Sequence, residues 1–587
     1  MWQKEDKLIR DLLLNSFGAF FLSMLTSSLG TLVDGLVIGN VMDTQCVAAF
    51  GLVNPLNFIF AITGSILGSG MSNGCARALG RNDREQACRL FSVTRIVGIG
   101  LSIAVMILIV AFIDPITTLL GAESGTEMFV NAKEYLLFYV LGLPAITATK
   151  LLSSIMPLDS DRRRIVTATA VMTAVNIAGD LFCVSVLHAG LAEIALVTTI
   201  SYYAGTLVLM HHFIKKDIIF RFSVRGLDWR GLFDITRKGL PKGVSRVTSS
   251  IRGIFINRTA AAIAAVAVAG FSVQSNINYM TNAVVMGLAQ SFMLVTSLYY
   301  GEENKEALKR VTRTACRLEL MFVGLLSLAL LALAPFVAKL YLGSNADALP
   351  AGTLSVRWYA AGLLFQGFCI LFADYLQVTG RVFWANMVYV AEDVVLTAAA
   401  VSILAERFST GGLYAGISLA HVLTVCLIPV FIMAVNRRKI SSSDDLLMLE
   451  EGFGIAPENE YAQTVTDLEG AVAASEEIIV FCEGRGVDHK TASRLGLAAE
   501  EMVTNIIQHG FKDGKPHSID LRALYKEADG VTLIIRDNCR PFDPKERFRY
   551  LTDDDPTANI GLRLTMNLAK EVTYTSAMRL NNVTIKV

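Results

Sequence analysis

Two carboxylates stand in the middle of apolar sequence. Asp34 lies in Leu32-Val33-Asp34-Gly35-Leu36, and Asp180 closes Asn176-Ile177-Ala178-Gly179-Asp180. An ionised carboxylate in hydrocarbon is expensive, so it faces a wet cavity or a cation. Burial also favours its protonated form, which suits a proton carrier. Asn176 precedes Asp180 by one helical turn and shares its face. Two carboxylates and an amide can hold H⁺ or Na⁺; a structural polar cluster between helices is the other reading. Further along, Asp374, Glu392 and Asp393 are also embedded, and Arg252 and Arg258 on one helix could pair with them or touch a substrate. Glu392 and Asp393 are adjacent, so they cannot share one helix face.

A second set of reactive residues lies near the C-terminus. Glu501 and Asn505 are one turn apart in Glu500-Glu501-Met502-Val503-Thr504-Asn505, a helical stretch. A carboxylate there can polarise a water, and an amide oxygen can hold Mg²⁺ beside phosphates. Asp537 ends a strand-like run and could accept from an adenine amine. Asp553-Asp554-Asp555-Pro556 leads to Gly561, where a helix start would offer backbone N–H groups to phosphate. Taken singly, each of these matches a solvated helix face or an ordinary turn.

The elements that must position these residues are of two kinds. The chain has 587 residues, 53% hydrophobic and only 18% charged, and its mean hydropathy is +0.50. Thr259 to Gly301, Cys46 to Ala76 and Ile96 to Ile113 contain no charged residue. A bilayer-crossing helix needs about 20 apolar residues, so these are spans. The pattern predicts about twelve, near 12–39, 48–76, 91–113, 131–156, 165–187, 190–214, 239–266, 268–299, 314–342, 355–378, 384–404 and 411–435. Alternate loops are basic, as in Arg162-Arg163-Arg164 and Arg437-Arg438-Lys439. The positive-inside rule then places both termini in the cytoplasm of a plasma-membrane protein. The 9 cysteines are scattered, which argues against a disulfide framework or a zinc site. The zero net charge by itself says nothing about nucleic acid, and no nucleic-acid partner is expected.

Ala48-Ala49-Phe50 opens a span that ends near Gly80-Arg81-Asn82-Asp83, and Ala269-Gly270-Phe271 opens one that ends at Gly301-Glu302-Glu303-Asn304. The offset of about 220 residues is half of the membrane part, the arrangement of a two-lobed secondary transporter. Composition changes after Lys439. The expected organisation is a helical transporter over 1–440 with lobes of about 1–220 and 221–440, a polar linker over 441–457, and an α/β domain over 458–587. In that domain, helices are expected at 468–482, 490–509 and 562–570, and strands at 461–465, 518–524, 531–536 and 583–587.

Val33-Asp34-Gly35-Leu36-Val37-Ile38-Gly39, Ala48-Ala49-Phe50-Gly51 and Ala78-Leu79-Gly80-Arg81-Asn82-Asp83 together resemble the multidrug and toxic compound extrusion (MATE) family. Leu141-Gly142-Leu143-Pro144, Asn176 to Asp180, Ala195 to Ser201 and Gly239-Leu240-Pro241 extend the likeness over about residues 10–435. The resemblance implies an antiporter in the lipid bilayer that exports small organic, often cationic, compounds in exchange for H⁺ or Na⁺. Asp34, Asn176, Asp180 and Thr198 fall on that family's N-lobe cation site. In the second lobe no acidic residue aligns with the family.

The order of the C-terminal motifs resembles the GHKL ATPase superfamily, in particular the anti-sigma-factor type of serine kinase, over about 458–587. That resemblance implies ATP and Mg²⁺ as ligands, with Glu501 as general base, Asn505 as Mg²⁺ ligand, Asp537 as adenine contact and Gly561 in the phosphate lid. Two positions depart from it. Cys539 replaces the usual glycine after the adenine aspartate, and the lid keeps a single glycine in Ala558-Asn559-Ile560-Gly561. Fewer glycines restrict close backbone approach, so binding is expected more firmly than turnover. No G-x-x-x-x-G-K-[ST] loop occurs, which excludes a P-loop motor. Two functions follow: an antiporter with a cytoplasmic ATP-binding regulatory domain and a regulatory protein partner, or a membrane-tethered anti-sigma-like kinase or binding module whose helices sense a ligand.

Overall fold

In the computed structural model, the residues described are 7–41, 44–187, 190–215, 218–223, 227–343, 347–437, 439–442, 444–450, 452–513, 517–527, 530–549 and 560–587. Only the backbone is described for 29, 31–41, several residues of 44–61, and 547, 549, 560, 561, 564 and 568.

The first lobe comprises α1 (Lys7–Val41), α2 (Thr44–Gly80), α3 (Arg84–Ala111), the short α4 (Ile113–Leu119), α5 (Glu127–Val140), α6 (Leu143–Ile155), α7 (Arg162–Phe182) and α8 (Leu191–Met210). The second comprises α9 (Trp229–Ile263), α10 (Ala265–Gly301), α11 (Lys305–Leu342), α12 (Leu349–Val378), α13 (Val382–Val390) and α14 (Thr397–Asn436). Among the described residues, 8 helices are long and apolar enough to cross a bilayer. Val382–Asn436 is one helical run of 55 residues. It breaks at Ser409 (φ 51, ψ −129), which divides it where the sequence predicts two spans. The span expected over 131–156 is instead a pair, α5 and α6, bent by 43°. Pro144, in the first turn of α6, cannot continue the α5 hydrogen-bond ladder.

The internal repeat is visible in the turns. Asn82 and Glu303 both take left-handed backbone (φ 62 and 55). The next residue in each case caps the following helix. Asp83 accepts from the Gln86 N–H at 2.8 Å, and Asn304 accepts from the Ala307 N–H at 2.9 Å. The glycines that open these turns meet across the lobe boundary. A Cβ on Gly80 would strike the Leu298 carbonyl, and one on Gly301 would strike the Arg77 carbonyl.

The C-terminal domain contains β1 (Glu460–Val465), α15 (Leu468–Glu483), α16 (His489–Gly510), β2 (Ile519–Lys526), β3 (Gly530–Asp537), α17 (Pro544–Arg549), α18 (Ile560–Leu568), β4 (Glu571–Ala577) and β5 (Leu580–Lys586). Its sheet is antiparallel throughout, in the order β1-β2-β3-β5-β4. Alternation decides the faces. Leu521, Leu533, Ile535, Val583 and Ile585 join α15 and α16 in one core. Asp520, Arg522, Arg536, Thr573 and Thr584 lie on the opposite face.

Strand β4 and helix α17 are absent from the sequence-based expectation. β4 pairs with β5 through a two-residue turn at Met578-Arg579, with both φ positive (57 and 62). Such turns ordinarily use Asn-Gly, so the sequence carries no turn signal here. The segment over 441–457 also differs from a simple polar tether. Leu447 and Met448 are buried against the helical bundle, and Asp444 pairs with Lys305 and Lys309 at 2.6 Å. The apolar run Leu446 to Leu449 gives it a reason to pack.

Candidate functional sites in the lobes, the ATPase-like domain and their junction

In the first lobe, α1 meets α7 where Gly30 leaves room. A Cβ there would stand 3.4 Å from Thr173 and 4.0 Å from the Asn176 side-chain oxygen. Asp34 lies one turn beyond Gly30 on α1, and its side chain is outside the described residues. Asp180 is wholly buried, and the Asn176 amide donates to its Oδ2 at 3.4 Å. Gly179 lets α8 approach, since any side chain would collide with Val197. Thr198 follows Val197 on α8, and its hydroxyl donates to the Ile194 carbonyl of its own helix at 3.0 Å. A π-helical turn, Cys183–Leu187, follows directly. Such turns recur at functional sites.

The second lobe repeats this feature with different chemistry. The π-helical segment Ala391–Leu396 joins α13 to α14 and carries Glu392 and Asp393, both buried. Being adjacent, they point to different partners. Glu392 binds His421 Nδ1 at 2.7 Å. Asp393 takes Arg252 at 2.6 Å and the hydroxyls of Thr248 and Ser249 at 2.7 and 3.1 Å. Asp374 pairs with Lys242, and the Tyr389 hydroxyl donates to it at 3.4 Å. Arg258 is exposed and makes no ion pair among the described residues. Sequence reading missed Lys242, His421 and Glu319. Glu319 is fully buried beside Gly367, and neither carboxylate oxygen has a hydrogen-bond partner among the described residues. Its signal was an isolated acid inside the span over 314–342.

In the ATPase-like domain, Glu501 and Asn505 are half-buried on one stretch of α16. Asp537, at the end of β3, is 3% exposed. Its Oδ1 accepts from Asn581 Nδ2 and from the Cys539 N–H, each at 2.8 Å. Burial raises this carboxyl above its ordinary value, against the downward pull of those two donors. The end of α16 reaches the same corner, because Gly510 packs directly on Cys539. Gly561 follows Ile560 at the start of α18, and residues 550–559 of the expected lid lie outside the described residues. A half-buried amide and carboxylate on α16, and a buried aspartate at the end of β3, are donor types that fit a nucleotide with its Mg²⁺.

The second face of the sheet rests on the bundle and touches both lobes. Against the first lobe, Asn82 Nδ2 donates to Thr573 and, at 3.3 Å, to Thr584. The Met578 N–H donates to the Leu158 carbonyl at 3.1 Å, Arg162 donates to the Met578 carbonyl at 3.1 Å, and the Arg579 N–H donates to Ser160 Oγ at 2.8 Å. Against the second lobe, Arg536 pairs with Glu302, both nearly inaccessible, and lies 5.1 Å over the Tyr299 ring.

Comparison with known proteins agrees with this division. Residues 19–182 and 241–398 match the MatE family, and 464–587 match the histidine kinase-like ATPase domain. Multidrug export protein MepA of Staphylococcus aureus (strain MSSA476) is 22% identical over 388 residues, covering 62% of this chain and 81% of the relative. Among solved structures, a MATE in complex with MaL6 superimposes with a TM-score of 0.68 at 22% identity, covering 73% of this chain and 97% of that one. The outward-facing conformation of a multidrug resistance MATE transporter of the MOP superfamily gives 0.66 at 22% identity, covering 73% and 96%. These likenesses favour a transporter over a kinase whose helices only sense a ligand. With one matched segment in each lobe, the chain belongs to the MatE family of multi-pass membrane transporters and carries a C-terminal histidine kinase-like ATPase domain.

Proposed function

We propose that this protein exports small organic compounds in exchange for H⁺ or Na⁺, and that its C-terminal domain binds Mg-ATP on the cytoplasmic side and regulates the exchange. The buried Asn176–Asp180 pair supports the coupling. A carboxylate removed from water is costly when charged and cheap when a proton or Na⁺ joins it. Asp34, Asn176 and Asp180 would hold that cation, with Thr198 on the adjoining helix. Release to the other side requires the lobes to part where Gly80 and Gly301 now close them.

The docked sheet supports regulation. It holds Asn82, Leu158, Ser160 and Arg162 of one lobe and Glu302 of the other. The closed end cannot open while both sets of contacts persist. Asp537 would meet the adenine, Asn505 the Mg²⁺ and Gly561 the phosphates. Glu501 is placed to polarise a water should the domain turn over. Bound nucleotide would supply a charged group against α16 and α18, the elements packed behind the docking face.

The test is dye exchange in proteoliposomes under an imposed pH or Na⁺ gradient. Asp180→Asn is expected to abolish gradient-driven exchange while leaving ATP affinity unchanged. Undiminished exchange in that variant would refute the coupling site.

A further inference from the structure

Between the lobes stand two cations that make no ion pair among the described residues. The described contacts between lobes begin at the ATPase-domain end, with Gly80 on Leu298 and Gly301 on Arg77. They continue to Gly243 on Ile62 and to Ser28, whose hydroxyl donates to the Tyr279 carbonyl at 2.9 Å. Lys150 of α6 and Arg246 of α9, one from each lobe, are both exposed. The Lys150 stem lies on Gly64 of α2, its Cγ 3.4 Å from where a Cβ would stand. Arg246 follows Gly243 by one turn and neighbours Tyr279, itself 47% exposed. The two cations are near enough to repel one another.

Among the described residues, three second-lobe carboxylates are already engaged. Asp374 holds Lys242, Asp393 holds Arg252 and Glu392 holds His421. Lys150 and Arg246 make no ion pair among the described residues. Cations at membrane depth ordinarily pair with something. Two exposed, neighbouring cations with no counter-ion among the described residues form a site whose counter-ion arrives with the ligand. Arginine offers a planar fork that matches carboxylate or phosphate, and lysine adds a point charge. A cationic compound would meet like charge in the same place.

We propose that the cargo is an organic anion, its carboxylate or phosphate held between Lys150 and Arg246. This rests on the exporter reading and reverses the charge that the family resemblance implies. The same chemistry serves a soluble organic acid or the headgroup of an anionic lipid.

The test uses the full-length protein in phosphatidylcholine nanodiscs, with carboxyfluorescein and ethidium as probes followed by fluorescence anisotropy. Carboxyfluorescein is expected to bind at least about tenfold more tightly than ethidium. Lys150→Gln with Arg246→Gln should cost at least about tenfold in carboxyfluorescein affinity. The charge-preserving pair Lys150→Arg with Arg246→Lys should stay within about threefold, which separates lost charge from misfolding. Phosphatidylglycerol added to the nanodiscs identifies the source. If it competes, the natural anion is a lipid headgroup; if it does not, the anion is a soluble compound, and either result supports the inference. Tighter binding of ethidium, or indifference to the double neutralisation, overturns it. If ethidium is still carried along a cation gradient in liposomes, only this inference has failed; if neither dye is carried, the exporter reading fails too.

Discussion

At the scale of single residues, Asp180 and Asp537 are both buried carboxylates with different surroundings. Asp180 has an amide donor and a position beside α1 and α8, which suits a cation that comes and goes. Asp180→Asn keeps the shape and removes the charge, so coupled exchange should fall by more than about tenfold, measured as dye flux in liposomes. Asp537 has a raised carboxyl because it is buried at a strand end. A folded-state value above the unfolded one means that the folded domain binds the proton more tightly. The stability from this group is then complete below the unfolded carboxylate value and lost as pH rises through the folded one. Asp537→Asn should therefore stabilise the protein at neutral pH in thermal unfolding, yet abolish ATP binding by removing the acceptor. Wild-type ATP affinity should decline on acidification at a higher pH than an ordinary carboxylate would give. Asp34, Asp180, Asp374, Glu392 and Asp393 all stand out in the sequence, because an acid in an apolar run is conspicuous by itself. Asn176 and Arg252, the partners of Asp180 and Asp393, are also legible there, but the other partners are not. Lys242 and His421 are defined by which helices cross, and nothing local in the sequence records that.

At the scale of elements, the boundary between the lobes is set by glycines. Gly80 and Gly301 each sit against a carbonyl of the other lobe, so a methyl group has no space there. Gly301→Ala should cost about 1–3 kcal/mol in the state closed at the ATPase-domain end. It should shift the lobes toward the opposite opening, readable as increased labelling of a cysteine introduced near Leu298. The β4–β5 hairpin shows a different economy. Met578 and Arg579 hold left-handed backbone that suits neither, and their turn is fixed by Leu158, Ser160 and Arg162 of the first lobe. Asn-Gly at these positions should leave the hairpin folded and weaken its docking, seen as faster amide exchange at the turn. The long apolar helices and most of the C-terminal strands were legible because period and charge depletion are local properties. β4 was not, since its turn has no Asn or Gly and is stabilised by a segment over 400 residues away.

For the whole molecule, the decisive feature is the sheet face laid across both lobes. Its polar residues would be ordinary solvated surface in an isolated domain, and here they bind turns of both lobes. Arg536→Ala leaves Glu302 buried and unpaired, a change that costs about 3–5 kcal/mol in comparable pairs. It should release the domain, detected as new protease cleavage in 441–457, and change the rate of dye exchange without changing which gradient drives it. Two domains were evident in the sequence from the change of composition after Lys439, whereas their docking depends on Asn82, Glu302, Thr584 and Met578 meeting in space.

The most direct measurement is flux in proteoliposomes of whichever dye the wild type carries, under a pH or Na⁺ gradient and without ATP. Gradient-driven flux that disappears in Asp180→Asn, and whose rate alone responds to Mg-ATP, is the expected result. Flux that requires ATP, or that ignores Asp180→Asn, would contradict a cation-coupled exporter with a regulatory nucleotide domain.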